Sequence, residues 1–380
     1  MFSGGHLALH IGGPGVTVPA PTEILDALQE ATITLDDAGR SGFQLSLALS
    51  RPRGVGNRDY PTLGGLALKI GNRVQLTALL GGKVHPLMDG IVTNHQTAPS
   101  LESAGSTLTV SGEDVTVMLD QQEIPLQLPM PVFARVNLML APLASYGVVP
   151  VVIPPVPDIP PLVTDSPPTI DGTFFSAINK LAGEANYVFA WRPGLLRGQS
   201  FAYFGPKEIP GPPQPPLTFG MGGAGNLNSI SFTDDGTKAK TVYGFVQEQY
   251  TNAPMIPVVS LPFPFGLEAV PATVGNLPLL GLQKLSNDEG GNVVQAYARA
   301  TAQHWGTLLG AASASGELDT VRYGAVLQAQ QTVEVRGSGW THDGAWRVKN
   351  VTHKLSRGAW TQSFNLERSG TGSKLERVVL

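Results

Sequence analysis

The chain has 380 residues, of which 42% are apolar and only 14% charged, with a net charge of −4 and no cysteine. Disulfides, thiolate metal centres and cysteine nucleophiles are thereby excluded, and the acidic balance argues against a nucleic-acid binder. Glycine (45) and proline (32) together point to many turns between short strands, in a chain long enough for two or more domains of roughly 100–200 residues each.

The first fifteen residues lack a basic region ahead of an apolar core, so no secretory signal is expected. His6 and His10 stand four apart, but glycines flank them and no acid follows at metal-ligand spacing. Thr22 is placed to cap a short helix over 23–29, with Ile24, Leu25 and Leu28 on one face. Phe43, Leu45, Leu47 and Leu49 alternate with small or polar residues, which predicts a half-buried strand. Residues 74–78 and 107–110 repeat the pattern. Asp36-Asp37-Ala38-Gly39 and, later, Asp234-Asp235-Gly236 sit between strand-like runs and are predicted turns. Gly81-Gly82-Lys83 is followed by valine, and the glycines of 220–225 precede no helix, so neither predicts a phosphate cradle.

Residues 132–163 are the most apolar stretch, yet seven prolines interrupt it and no membrane-spanning helix is expected. Residues 142–168 show no periodicity and predict an extended excursion; a second proline-rich break covers 206–225. Between them, Asp171 or Thr173 is placed to start a helix through Phe174, Phe175, Ile178 and Leu181. A long insertion over 254–278 carries Pro262, Phe263, Pro264 and Phe265, apolar enough to require cover by the body or by another subunit. We take these four residues as a candidate interface loop. The longest predicted helix spans 292–309, with Val293, Val294, Tyr297, Thr301 and Trp305 roughly in register. Near the end, Trp360, Gln362, Phe364 and Leu366 alternate with Thr361, Ser363, Asn365 and Glu367, a strong strand pattern.

No arrangement of residues specifies a reaction. His85 precedes Pro86 in a predicted turn, and His304 is a packing or surface residue on the long helix. His342 and His353 lie in the last β segment, where a hydrogen-bonded histidine is the default. The pairs Asp36-Asp37, Glu113-Asp114 and Asp234-Asp235 lie outside apolar segments that would raise their pKa values. No catalytic residue, cofactor or metal is expected. A cell-wall or polysaccharide hydrolase using Glu113 or Asp114 is the enzymatic alternative.

Two passages taken together resemble a known family. The first runs Ile70-Gly71-Asn72-Arg73-Val74, then Met88-Asp89-Gly90-Ile91-Val92, where Gly90 is expected to turn into a strand. It closes on Val110-Ser111-Gly112-Glu113-Asp114. The second runs from Gly344-Ala345-Trp346-Arg347-Val348 through Val351, Thr352 and His353, then Trp360, Phe364 and Leu366, with a bulge expected near Lys349. Their order resembles the phage late-control protein D and baseplate hub family, including the hub part of type VI secretion spike proteins. The likeness covers 31–125 and 228–368. It makes Gly71, Gly90, Gly112, Asp114, Gly344, Trp346, Val348, Val351, His353, Trp360, Phe364 and Leu366 structural signature positions.

This resemblance implies a mainly β chain with a few short helices: two similar small β-barrel domains plus inserted α/β and loop regions. The expected domains are a first, tube-docking barrel (1–130), a proline-rich excursion with a small α/β insertion (131–227), a second barrel (228–368) and a tail (369–380). It implies a non-enzymatic homotrimer that joins a separate trimeric spike to a hexameric inner tube, touching other baseplate subunits. Nucleic acid and membrane spans play no part. Such a subunit assembles in the cytoplasm and ends in a phage tail, tailocin or injection particle. A distal tail or tail-tip protein of a non-contractile phage is the structural alternative.

Overall fold

The structure, a computed structural model, describes residues 5–37, 39–49, 66–100, 105–121, 123, 125, 127–158, 172–194, 198–207, 212–246, 256–260, 267–275, 279–285 and 293–374. The candidate interface loop Pro262, Phe263, Pro264 and Phe265 lies outside them. The chain is mainly β.

The first part contains β1 (Gly5–Gly12), β2 (Thr17–Pro19), β3 (Leu28–Asp36), β4 (Gly42–Ala48), β5 (Arg73–Leu80), β6 (Lys83–Ala98) and β7 (Thr107–Asp114). A middle region follows, with β8 (Val148–Val152), β9 (Tyr187–Pro193), β10 (Ser200–Pro206) and β11 (Gln214–Thr218). Then come β12 (Leu227–Asp234), β13 (Lys240–Val246), β14 (Ile256–Val259), β15 (Val270–Pro271), β16 (Gly281–Lys284) and β17 (Ala312–Asp319). The last strands are β18 (Thr332–Arg336), β19 (Gly344–Ser356), β20 (Ala359–Arg368) and β21 (Gly370–Thr371).

Thirteen strands form one sheet, whose main path runs β12-β17-β20-β19-β3-β4-β7-β6-β5-β1-β2, with β18 on β19 and β11 on β18. Two units of the same topology lie within it. In the first, the spatial order is β5-β6-β7-β4-β3; in the second it is β18-β19-β20-β17-β12. Both read third, fourth, fifth, second, first in chain order, and every neighbouring pair is antiparallel.

Alternation explains why these segments are strands. Ala31, Ile33, Phe43, Leu45, Leu47, Leu108 and Val110 point into the first core, while Thr32, Thr34, Gln44 and Thr109 face out. Leu227, Leu318, Trp346, Val348, Val351, Phe364 and Leu366 do the same for the second core. Leu355 and Trp360 join the first core although they belong to strands of the second unit, so the two interiors meet.

Between the units, the helices Val132–Leu140 and Phe174–Glu184 pack on the three-stranded sheet β8-β10-β9 around Ile178, Phe189 and Phe204. Thr173 caps the second of these, accepting from the Ser176 amide at 3.2 Å. The helix Val293–Leu308 packs Ala296 and Ala300 onto β13, β14 and Leu285. Parts of both proline-rich breaks are strands, contrary to expectation. Residues of β8 pair in parallel with β10, and Gln214-Pro215-Pro216-Leu217-Thr218 pairs in parallel with β18. These are edge strands, where a proline's missing N–H faces away from the ladder. No described helix is long and apolar enough to cross a membrane.

Candidate assembly site at the strand seam

The two units join where β3 pairs antiparallel with the C-terminal half of β19, from Asn350 opposite Asp36 to Ser356 opposite Glu30. Across this seam the hydroxyls of Thr34 and Thr352 lie 3.2 Å apart, and Lys354 approaches Glu30 at 3.4 Å. Both β3 and β19 keep their other edges for their own units, so the seam joins the pair into one continuous sheet.

The equivalence of the units extends to individual backbone bonds. Strands β6 and β19 each skip one residue against their neighbour, at Thr93 and at Lys349, the position where a bulge was expected. Immediately before it, Val92 exchanges hydrogen bonds with Gly71 and Asn72, as Val348 does with Gln330 and Gln331. Gly71 and Gln330 occupy the same position and both have positive φ, 88° and 66°. Glycine suits that conformation; glutamine adopts it at some strain. Strands β3 and β12 also share a skip, at Gln29 and Asn228, so that Leu28 corresponds to Leu227 and Thr34 to Thr233.

A buried charge cluster sits beside the seam. The Arg347 side chain is fully buried, bonded to the carboxylates of Asp37 and Glu367, and donates to the Lys207 carbonyl at 2.8 Å. Burial pushes the Asp37 carboxyl up to about 6, against the downward pull of Arg347. Arg192 donates to Gln330 Oε1 at 2.8 and 2.6 Å, fixing the β9–β10 hairpin to the second unit.

Asp114 ends β7 fully buried. Its carboxylate accepts from Ser41 N at 2.7 Å, Thr116 N at 2.9 Å and Thr116 Oγ1 at 2.5 Å, capping the turn Val115–Asp120. Burial raises it to about 6, despite these bonds. The sequence-based expectation that no acid here would be shifted is therefore wrong for Asp37 and Asp114. Their desolvation comes from strands distant in the chain, not from apolar neighbours in sequence. Glu113 pairs with Arg40 at 2.8 Å. The acids of the hydrolase alternative are thus a cap and an ion-pair partner.

Gly90 does not turn the chain; it lies inside β6, where a Cβ would meet the Glu113 carbonyl at 2.4 Å and the Phe43 ring at 3.0 Å. Gly112 is tighter still, with Phe43 carbons at 2.3 and 2.4 Å from that position. Gly344 opens β19 at φ 113°. Trp346, Val348, Val351, Phe364 and Leu366 are buried in the second core; Trp346 donates to the His342 carbonyl at 2.8 Å and carries Arg368 over its ring at 4.2 Å. His353 is fully buried edge-on to Trp360, 6.2 Å between ring centres, with neither ring nitrogen hydrogen-bonded. Burial drives it down to about 3, so it is a neutral packing group and not the hydrogen-bonded histidine expected. His342 stacks on Phe232 at 4.3 Å and reaches Asp234 at 3.2 Å, whereas His304 is buried against the Lys240 carbonyl at 2.7 Å.

His6 and His10 share one face of β1, a strand, and line a cavity of about 410 Å³ with Gln75, Met88, Asp89 and Gln199. Both Asp89 oxygens are engaged there, by Arg73 at 2.6 Å twice and by Gln75 at 3.1 Å. A second groove, about 390 Å³, crosses β12, β17, β20 and β19 and is lined mainly by Ser229, Ser231, Ser315, Thr352, Ser363 and Asn365. Among the described residues, no cluster of three His, Asp or Glu side chains is placed to hold a metal ion.

No protein-family model and no curated protein matches the sequence. Solved structures do. A tail protein from Neisseria meningitidis MC58 superposes with a TM-score of 0.64 at 16% identity, over 96% of both chains. The 43 kDa tail protein of prophage MuSo2 from Shewanella oneidensis gives 0.61 at 12% identity, covering 94% of this chain and 98% of that one. A component of the Escherichia coli type VI secretion system, itself similar in structure to the T4 bacteriophage tail proteins gp27 and gp5, gives 0.52 at 10% identity. It aligns over 89% of this chain and 73% of its own. The fold is therefore that of these tail and injection-machine proteins, as the two sequence passages implied.

Proposed function

We propose that this chain is a structural baseplate hub: a homotrimer that joins a trimeric central spike to a hexameric inner tube in a contractile tail or injection machine. The observation that carries this reading is the pair of equivalent five-stranded units fused at the β3–β19 seam. Three chains built this way present six similar units in a ring. One end of such a ring meets threefold partners and the other end meets sixfold ones, without any chemistry. The fold shared with phage tail proteins supports the setting. The engagement of Asp114 and Glu113 in caps and ion pairs supports a non-enzymatic role. The proline-rich insertion over 254–278, with Pro262, Phe263, Pro264 and Phe265, belongs, on this reading, to contacts with neighbouring baseplate subunits.

Native mass spectrometry of the purified chain, alone and with its candidate spike protein, tests the proposal. A species near 120 kDa, three chains of 40.0 kDa, is expected. A monomer under both conditions would overturn the hub reading.

A further inference from the structure

The equivalence of the two units has one gap. Inside the chain, the first strand of unit one, β3, is covered by the outer edge of the fourth strand of unit two, at residues 350–356 of β19. The corresponding first strand of unit two, β12, ends the sheet and has no strand on its second edge among the described residues. The corresponding stretch of unit one's fourth strand, residues 94–98 of β6, pairs with β7 on one side and has no strand on the other among the described residues. Each unit thus lacks the one neighbour that the other has.

Burial records the same gap. Val351 and His353 on β19 are fully covered, whereas of their counterparts His95 is half-buried and Thr97 is exposed. Ala31 and Ile33 on β3 are buried at 1% and 0%, whereas their counterparts Ile230 and Phe232 are only half-buried. Core-facing side chains left open along two strand edges call for a covering strand.

We infer that β12 of one protomer adds antiparallel to the free edge of β6 in the next protomer, repeating between chains the β3–β19 seam within each chain. The partner is a second copy of this chain, and the inference rests on the trimeric reading above. The register follows by transfer from the internal seam: Asn94 opposite Asp235, His95 opposite Asp234, Gln96 opposite Thr233, Thr97 opposite Phe232 and Ala98 opposite Ser231. The ladder stops before Pro99, which has no N–H to donate. It sets Asp234 against His95 rather than against another acid. A contact of this kind is head-to-tail, so it closes into a ring when the rotation permits.

Because the chain has no cysteine, engineered pairs report directly on the register. Gln96 and Thr233 correspond to Thr352 and Thr34, the pair whose hydroxyls meet across the internal seam. On mild oxidation, the Q96C/T233C double variant should run as covalent dimers and trimers on a non-reducing gel. An equimolar mixture of the two single variants should stop at dimers, which excludes a bond within one chain. The T34C/T352C variant is the control for geometry: it should close internally and run as a monomer. Pairing Q96C with S231C shifts the register by two residues and should link poorly. A native trimer in which T34C/T352C closes but Q96C/T233C does not would overturn this inference and leave the trimeric hub intact. Preferential linking to S231C would overturn the register. Absence of any trimer would overturn the hub reading itself, and this inference with it.

Discussion

Replacing Arg347 by methionine removes the guanidinium bonded to two buried carboxylates, Asp37 and Glu367, while keeping most of the side-chain volume. The Asp37 side chain is 3% exposed and that of Glu367 11%, so water does little to replace the lost partner. Breaking a buried pair by deleting one member costs about 3–5 kcal/mol. That cost has a pH signature. Burial already pushes Asp37 up to about 6 with Arg347 present; without the guanidinium that carboxyl is held protonated more readily. The variant's folded state then binds protons that its unfolded state releases, so its stability falls as pH rises. The deficit relative to wild type should be near the full value at pH 7.5 and clearly smaller at pH 5. Urea unfolding followed by fluorescence reads this out, since Trp346 and Trp360 are buried in the cores that meet at the seam. Adding D37N to R347M should recover part of the loss at pH 7.5. Equal deficits at both pH values, or no recovery with D37N, would refute the assignment of Arg347 as the neutralising centre of the seam.

Asp114→Ala leaves the amides of Ser41 and Thr116 buried without an acceptor. A loss of about 1–3 kcal/mol is expected in denaturant unfolding. In the wild type, Asp114 is raised to about 6, so its contribution is largest below pH 4 and is lost as pH rises towards 6. Asp114→Asn should flatten the stability profile over that window. Gly112→Ala drives a methyl group into the Phe43 ring and the Ile91 carbonyl, 2.3 Å away each. About 1–3 kcal/mol of destabilisation is expected, partly relieved by F43L but not by changes elsewhere in the core. His353 has the opposite linkage sign: its folded-state value, about 3, lies below the ordinary one, so the unfolded chain takes up the proton first. Stability drawn from neutral His353 is lost as pH falls below about 6.5, and His353→Phe should keep thermal stability at pH 5 closer to that at pH 7 than wild type does.

Local alternation made the strands legible. Phe43 to Leu49 and Trp360 to Leu366 declare which face is buried because a strand's period is two, whatever it packs against. The bulge near Lys349 and the helices at Phe174–Glu184 and Val293–Leu308 were legible for the same reason: each depends on neighbours in sequence. The internal repeat was not. Leu28-Gln29-Glu30-Ala31-Thr32-Ile33-Thr34 and Leu227-Asn228-Ser229-Ile230-Ser231-Phe232-Thr233 agree only at their ends. Hydrogen-bond register preserves an equivalence that side-chain identity has lost. Residues 148–152 and 214–218 looked like linkers because proline disfavours strands; only partners far along the chain, β10 and β18, supply the ladders that make them edges. The helix Val132–Leu140 was hidden at the head of the apolar, proline-interrupted stretch 132–163.

The sequence by itself determined the strand faces and the absence of thiol chemistry, both consequences of residue type and short spacing. Tertiary structure alone decided the seam, which brings Thr34 to Thr352 across 318 residues. It also decided which acids and which histidine lose their water, because desolvation depends on everything that packs around a group and not on what precedes it in the chain.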